Sequence, residues 1–213
     1  MILQLFRSRP RAPNIRDLYG AIVAQARNPA FYSGYGVPDT MEGRFDLIVL
    51  HLVLVLAQIG GEAGQDQVGR GLGGARGIGQ KLFDEFCRDL DDNLREMGVG
   101  DFAVPKKMRG FAEAFYGRQA AYLAALAAPG ERELENALAR NIFNDASAGS
   151  GPAQFGSARL AAYVRAALSQ FKAQEPRALE SSLWRGQIAF PMPDIIPVPQ
   201  TEAIQQTEAI QNG

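Results

Sequence analysis

The stretch from Phe31 to Gly61, FYSGYGVPDTMEGRFDLIVLHLVLVLAQIGG, constrains this chain more than any other. An aromatic, glycine-broken loop leads into a run that is apolar on nearly every side and holds the only histidine, His51. Asp39 followed by Glu42 has capping-box spacing, which predicts a helix beginning near Thr40 and reaching about Ile59. Phe45, Ile48, Val49, Leu52, Leu56 and Ile59 form its main stripe, and Leu47, Leu50, Val53, Leu54 and Val55 fill the other sides. Such a helix must lie at the centre of a bundle or meet something equally apolar. Its valines and isoleucines also admit a strand, but its length and cap favour the helix. The uncharged run from Leu47 to Gly61 falls short of the ~20 residues a bilayer needs.

Helical periodicity dominates elsewhere. Ile15, Leu18, Ile22, Val23 and Ala26 make one apolar face, with Asn14 as N-cap and Pro29 as terminator. Pro29–Pro38 reads as a loop, and glycine is so frequent from Gly60 to Gly79 that no regular element is expected there. An amphipathic helix then buries Ile78, Leu82, Phe83, Phe86, Leu90, Leu94 and Met97, and Gly98 stops it. The next starts at Val104-Pro105 and buries Met108, Phe111, Phe115, Tyr122 and Leu126. A shorter helix covers Arg132 to Asn144. After SAGSGP, a last long one carries Phe155, Leu160, Tyr163, Val164, Leu168 and Phe171, and Pro176 ends it. SLWRGQIAFP reads as extended, with Ile188 and Phe190 docking on the bundle; PMPDIIPVP is too rich in proline for a helix or central strand. The fold class is therefore all-α. It comprises a basic segment at 1–13, a single bundle of about six helices at 14–190 with a glycine-rich inter-helix loop, and an extended Pro-rich tail at 191–213. The tail repeats TEAIQ, a small duplication rather than a repeat fold.

With 213 residues, 46% of them hydrophobic, the chain has material for one sizeable core. A net charge of -1 gives no global field to attract nucleic acid, and none is expected as a partner. Charge is uneven, since Arg7, Arg9, Arg11 and Arg16 precede the first acid, Asp17. That start has too few hydroxyl residues for a transit peptide and no apolar region for a secretory signal. It fits a membrane-surface anchor or, preferably, an ordinary frayed terminus. The single Cys87 excludes an internal disulfide and sits among Phe83, Phe86 and Leu90 as a small hydrophobe.

Catalytic signatures are weak. Gly69, Gly71 and Gly74 match G-x-G-x-x-G, but a helix rather than a strand precedes them and no βαβ unit follows. One histidine and one cysteine cannot complete a zinc site, so a buried, hydrogen-bonded imidazole is the simpler reading of His51. The acids Asp84, Glu85, Asp89, Asp91, Asp92 and Glu96 lack the Glu-x-x-His spacing of di-iron bundles. Asp84 with Arg88, and Asp91 with Arg95, stand at the spacing that laces a solvated face, and Lys106, Lys107 and Arg109 supply a basic neighbour. No metal or cofactor is expected. By elimination the chain reads as a binding protein and not an enzyme.

Five segments carry a family resemblance: FY followed by VPDT, LFDEF with DLDDNLREMGVGD, VPKKMRGFAEAFYGR, LARNIF, and LWRGQIAF. In this order, from about Leu18 to Phe190, they resemble the ubiquinol-cytochrome c chaperone family. The resemblance implies a chaperone that binds newly made cytochrome b and supports assembly of respiratory complex III; mitochondrial members do so with a small partner chaperone, which a bacterial form shares, replaces or dispenses with. It proposes Phe31, Tyr32, Tyr35 and Arg44 around the entry loop as contacts for client or partner. Asp84, Asp89 and Arg95 on the charged helix, then Lys106 and Tyr116, extend the set. His51 matches the family's histidine, in packing or in recognition. The eukaryotic members have longer N-terminal extensions, so this chain resembles a bacterial form, acting in the cytoplasm and peripherally at the inner membrane. Gly60–Gly79 beside the apolar helix is expected to supply the give that client release needs. The alternative is a helical small-molecule or haem-binding protein using His51 and the glycine loop.

Overall fold

The structure, a computed structural model, describes residues 13–60, 75–130, 132–144 and 152–195. Among these the chain is all-α, with eight α-helices and one 3-10 turn. The helices are α1 (Ile15–Ala26), α2 (Pro29–Ser33), α3 (Met41–Gly60), α4 (Ala75–Glu96), α5 (Val104–Ala127), α6 (Arg132–Ile142), α7 (Pro152–Lys172) and α8 (Pro176–Trp184). The 3-10 turn is Pro193–Ile195. The six helices expected from periodicity are α1, α3, α4, α5, α6 and α7; α2 and α8 are additions.

The apolar helix is central, as its composition requires. Leu47, Val49, Leu50, Leu52, Val53, Leu54 and Val55 are all at 0% exposure, and α3 touches α1, α4, α5, α6 and α7. Asn14 caps α1, its side chain accepting from the Asp17 amide. The α3 cap differs from expectation by one residue. Thr40 Oγ1 accepts from the Gly43 amide at 3.1 Å, while Asp39 pairs with Arg44 at 2.8 Å. Glu42 therefore stands one position too early to close a capping box on Thr40.

Three segments expected to be irregular contain helix. Asn28 caps α2 and Pro29 sits in its first turn, so Phe31 and Tyr32 are helical rather than in a loop. Helix α4 begins within the glycine-rich stretch, at Ala75. Burial of Ile78 and Leu82 at 0% exposure outweighs the ~1 kcal/mol that each of Gly77 and Gly79 costs a helix. Pro176 does not end α7, which stops at Lys172. It opens α8 instead, where the Glu175 side chain accepts from the Ala178 amide at 2.9 Å and Leu179 and Leu183 are buried. Residues 61–74, with Gly69, Gly71 and Gly74, lie outside the described residues, as do 1–12 and the TEAIQ repeats.

Glycine is required where α4 turns into α5. Gly98 has φ +77°; its amide bonds to Arg95 O at 2.9 Å, and the Val99 amide bonds to Leu94 O at 3.0 Å. Those two bonds form a Schellman cap. After α8 the chain has no regular secondary structure from Gln187 to Met192, and Ile188 and Phe190 pack on the core as expected. Three side chains hold this strap by its carbonyls: Gln170 to Ala189 O at 3.0 Å, Gln25 to Pro191 O at 3.2 Å, and Tyr35 to Pro193 O at 2.6 Å.

Candidate functional site

Two neighbourhoods flank α3. The first is an aromatic box around His51, where the Phe31 ring centroid lies 4.9 Å from Tyr163, 5.4 Å from His51 and 5.4 Å from Tyr35. Phe190 closes it at 5.2 Å from His51. Both imidazole nitrogens are engaged. Nδ1 lies 2.7 Å from Leu47 O, and since a carbonyl only accepts, Nδ1 carries the proton. Nε2 then accepts from the Tyr163 hydroxyl at 2.9 Å, and that hydroxyl accepts from Gln25 Nε2 at 3.0 Å. Burial lowers the His51 pKa from 6.5 to about 4, so the ring is neutral at physiological pH. With both nitrogens hydrogen-bonded, His51 has no lone pair to offer a haem iron, and the haem-ligand reading does not fit this geometry.

The second neighbourhood is a half-open cleft of about 590 Å³ between α1, α3, α4 and α5. Its floor is aromatic and aliphatic. Phe45 lies 5.2 Å from Phe111 and 6.2 Å from Phe86, and Ile48, Leu90 and Leu94 fill between them. Phe45 and Ile48 belong to the main stripe of α3 and are its half-buried members on this flank. The α4 residues Phe86, Leu90 and Leu94 reach the cleft at helical spacing, Met97 joins them from the turn after α4, and Lys107, Phe111, Ala114 and Arg118 line it from α5. Met41 and Met97 stand at the mouth, 67% and 53% exposed.

Charge enters this cleft at two depths. Asp46 is 2% exposed, and Arg118 Nη2 lies 2.7 Å from its Oδ1. Burial dominates over that cation and pushes the Asp46 pKa up to about 6. The Arg118 guanidinium also sits 5.7 Å from the Phe45 ring centroid. Nearer the rim, the Tyr19 hydroxyl donates to Asp89 Oδ2 at 2.8 Å, and Arg27, Arg44 and Lys107 add positive charge. An apolar floor, flexible thioethers and a mixed rim suit the holding of an apolar segment.

The residues proposed from sequence separate clearly against this frame. Phe31, Tyr35 and His51 are core, at 0%, 1% and 0% exposure, because they build the aromatic box. Tyr32 is half-buried and donates to Ala26 O at 3.1 Å. Arg44 and Asp89 line the cleft; Lys106 is exposed next to its Lys107. Asp84 is exposed and accepts from Gln80, not from Arg88, which pairs instead with Glu85 at 2.7 Å and Asp92 at 2.6 Å. Arg95 pairs with Asp91 as its spacing predicts, and also with Asp101, both at 2.6 Å. Tyr116 is 56% exposed on α5, with its ring 5.7 Å from Phe83. Cys87 is half-buried against the core and burial pushes its thiol pKa up, which suits packing rather than reactivity.

Sequence reasoning missed Asp46, Arg118, Phe45 and Phe111 as a group. The signal for Asp46 was present, since it is an acid between Phe45 and Leu47 in an otherwise apolar run. Nothing local marks Arg118 as its partner.

Comparison with known proteins agrees with this architecture. No curated protein sequence matches the chain. A solved structure, the crystal structure of the Cbp3 homolog from Brucella abortus, is 35% identical to it. The match covers 92% of this chain and 100% of that one, with a TM-score of 0.70. The Ubiquinol-cytochrome C chaperone family model matches residues 33–185, a span that runs from the end of α2 to the end of α8 and takes in α3 and most of the cleft lining. On that match, and on the relative that shares its fold at this identity, the chain belongs to the ubiquinol-cytochrome c chaperone family.

Proposed function

We propose that this chain is an assembly chaperone for the ubiquinol-cytochrome c reductase complex, that newly made cytochrome b is its client, and that the cleft holds an apolar client segment. Family membership and the likeness to the Cbp3 homolog support the assembly role. The observation that carries the client site is the incomplete covering of α3. Seven of its apolar residues from Leu47 to Val55, and His51 among them, are fully shielded, yet Phe45 and Ile48 face an aromatic-floored opening. The chaperone acts by binding and release. Of the sequence-derived contacts, Arg44 and Asp89 belong to this surface directly and Lys106 flanks it. No helix among the described residues is long and apolar enough to cross a membrane. In this reading the chain meets its client from the cytoplasmic face of the inner membrane, as its resemblance to bacterial forms implies.

Phe111→Glu tests the site, because it charges the floor at a half-buried position. Crosslinked capture of cytochrome b from membranes should fall at least tenfold while helical circular dichroism is kept. Capture equal to that of the unsubstituted chain would refute the cleft as the client site. Deleting the gene should lower assembled complex III without lowering cytochrome b transcript, and normal complex levels would refute the assembly role.

A further inference from the structure

The turn joining α4 to α5 lies at the edge of the cleft and carries one feature that the client site does not use, Phe102. Phe102 is 104% exposed at its tip and Met97 is 53% exposed beside it. The turn is nevertheless firmly built. Its Schellman cap is followed by bonds from the Ala103 and Val104 amides to Gly100 O, at 2.8 and 3.3 Å. The fully wetted phenylalanine is thus held out by an ordered backbone.

Lys106, Lys107 and Arg109 follow it at the start of α5, all exposed, with no ion pair to any described residue. Asp101 and Asp91 share Arg95, each at 2.6 Å, while Glu42, Asp89, Glu96 and Glu113 have no ion pair to a described residue, so the three cations are held by no carboxylate at contact distance. An aromatic tip backed by unneutralised cations matches the polarity profile of an anionic bilayer surface, with apolar groups at acyl-chain depth and positive charge at the headgroups. A partner protein would have to bury Phe102 in a pocket and supply acids around it; a bilayer offers both without specific fit.

We propose that the α4–α5 turn is a peripheral membrane-docking tip, in which Phe102 and Met97 enter the interface of an anionic bilayer and Lys106, Lys107 and Arg109 bind its headgroups. Because Met97 and Lys107 also line the cleft, docking by this tip sets the cleft mouth against the membrane surface. The inference does not depend on the identity of the client.

The test is co-sedimentation of the full chain with phosphatidylcholine vesicles, with and without phosphatidylglycerol. Binding should require phosphatidylglycerol and weaken with salt. The double variant Lys106→Gln, Lys107→Gln should lower partitioning about 25-fold, at about fivefold per basic residue. Phe102→Ser alters a residue wholly in water, so the fold is kept, and it should lower partitioning by about tenfold. Phe102→Trp should be quenched by brominated lipid beyond the Trp184 background of the unsubstituted chain. Equal binding to neutral vesicles would overturn the proposal. So would loss of binding only on Arg7, Arg9 and Arg11→Gln, with Phe102→Ser unaffected. If Phe102→Ser reduces cytochrome b capture in detergent but leaves vesicle binding unchanged, the tip is a protein contact and the proposal fails. The client reading survives all three results.

Discussion

The Tyr163 hydroxyl lies 2.9 Å from His51 Nε2 and 3.0 Å from Gln25 Nε2, so one oxygen joins α7 to α3 and α1 inside the aromatic box. Tyr163→Phe keeps the ring and its contacts but leaves His51 Nε2 buried without a donor. The expected cost is about 1–3 kcal/mol, read as a lower urea midpoint with an unchanged slope. An unaltered midpoint would show that the hydroxyl bridge contributes no net stability.

Two buried groups set opposing pH dependences. Burial lowers the His51 pKa from 6.5 to about 4, so the unfolded chain takes up this proton first. Stability from that source is present above pH 6.5 and is lost as pH falls towards 4. Burial raises the Asp46 pKa from 3.8 to about 6, so there the folded chain takes up the proton first, and stability grows as pH falls through the same window. Each shift corresponds to about 3 kcal/mol, and the two nearly cancel. Urea titrations at pH values between about 5 and 6.5 should therefore give a nearly flat profile. Asp46→Asn should uncover destabilisation on acidification, and His51→Gln the reverse slope. Identical profiles in both variants would refute the assignment.

Gly156 sits where α7 crosses the aromatic box. A Cβ there would lie 2.3 Å from Tyr35 O and 2.6 Å from Phe143 Cε1, and the backbone oxygen has nowhere to go. Gly156→Ala should cost about 1–3 kcal/mol and lower the melting temperature by about 2–4 °C for each kcal/mol. A melting temperature equal to that of the parent would mean α7 can shift freely.

Gly98 presents the contrasting case, with open space around it and φ +77°. Gly98→Ala should cost about 1–2 kcal/mol through backbone strain alone, and Gly98→Asn less, because asparagine tolerates the left-handed region. Equal stability of the two variants, measured by thermal unfolding, would argue against the Schellman geometry.

The sequence made the helical layers legible because each of the six longer helices carries its own apolar stripe. Where the helix bounds differ, at Pro29, Gly77, Gly79 and Pro176, tertiary context and not local punctuation decides what proline and glycine do. Pro29 and Pro176 start helices because Asn28 and Glu175 cap them, and Gly77 and Gly79 are carried in α4 by the burial of Ile78 and Leu82. The site was harder to see. Phe31, Tyr35 and His51 look exceptional in the sequence, and that is why they pack together. The cleft is lined by stripe residues such as Phe45 and Phe111, identical in pattern to core, whose half-exposure depends only on which neighbouring helix is missing. The Asp46–Arg118 pair joins positions far apart in the chain and has no local signature.

The strap at Gln187–Met192 and the turn after it also bear on how the molecule is made. Ala189, Pro191 and Pro193 give their carbonyls to Gln170, Gln25 and Tyr35, which come from α7, α1 and the segment after α2. Backbone oxygens, not side chains, are gripped. During synthesis none of those three grips can form until the strap has left the ribosomal exit tunnel, and the one from Gln170 needs α7 as well. Phe190 is thus the last aromatic to reach His51, and closure of the box is a late, post-α8 event in the birth of this protein.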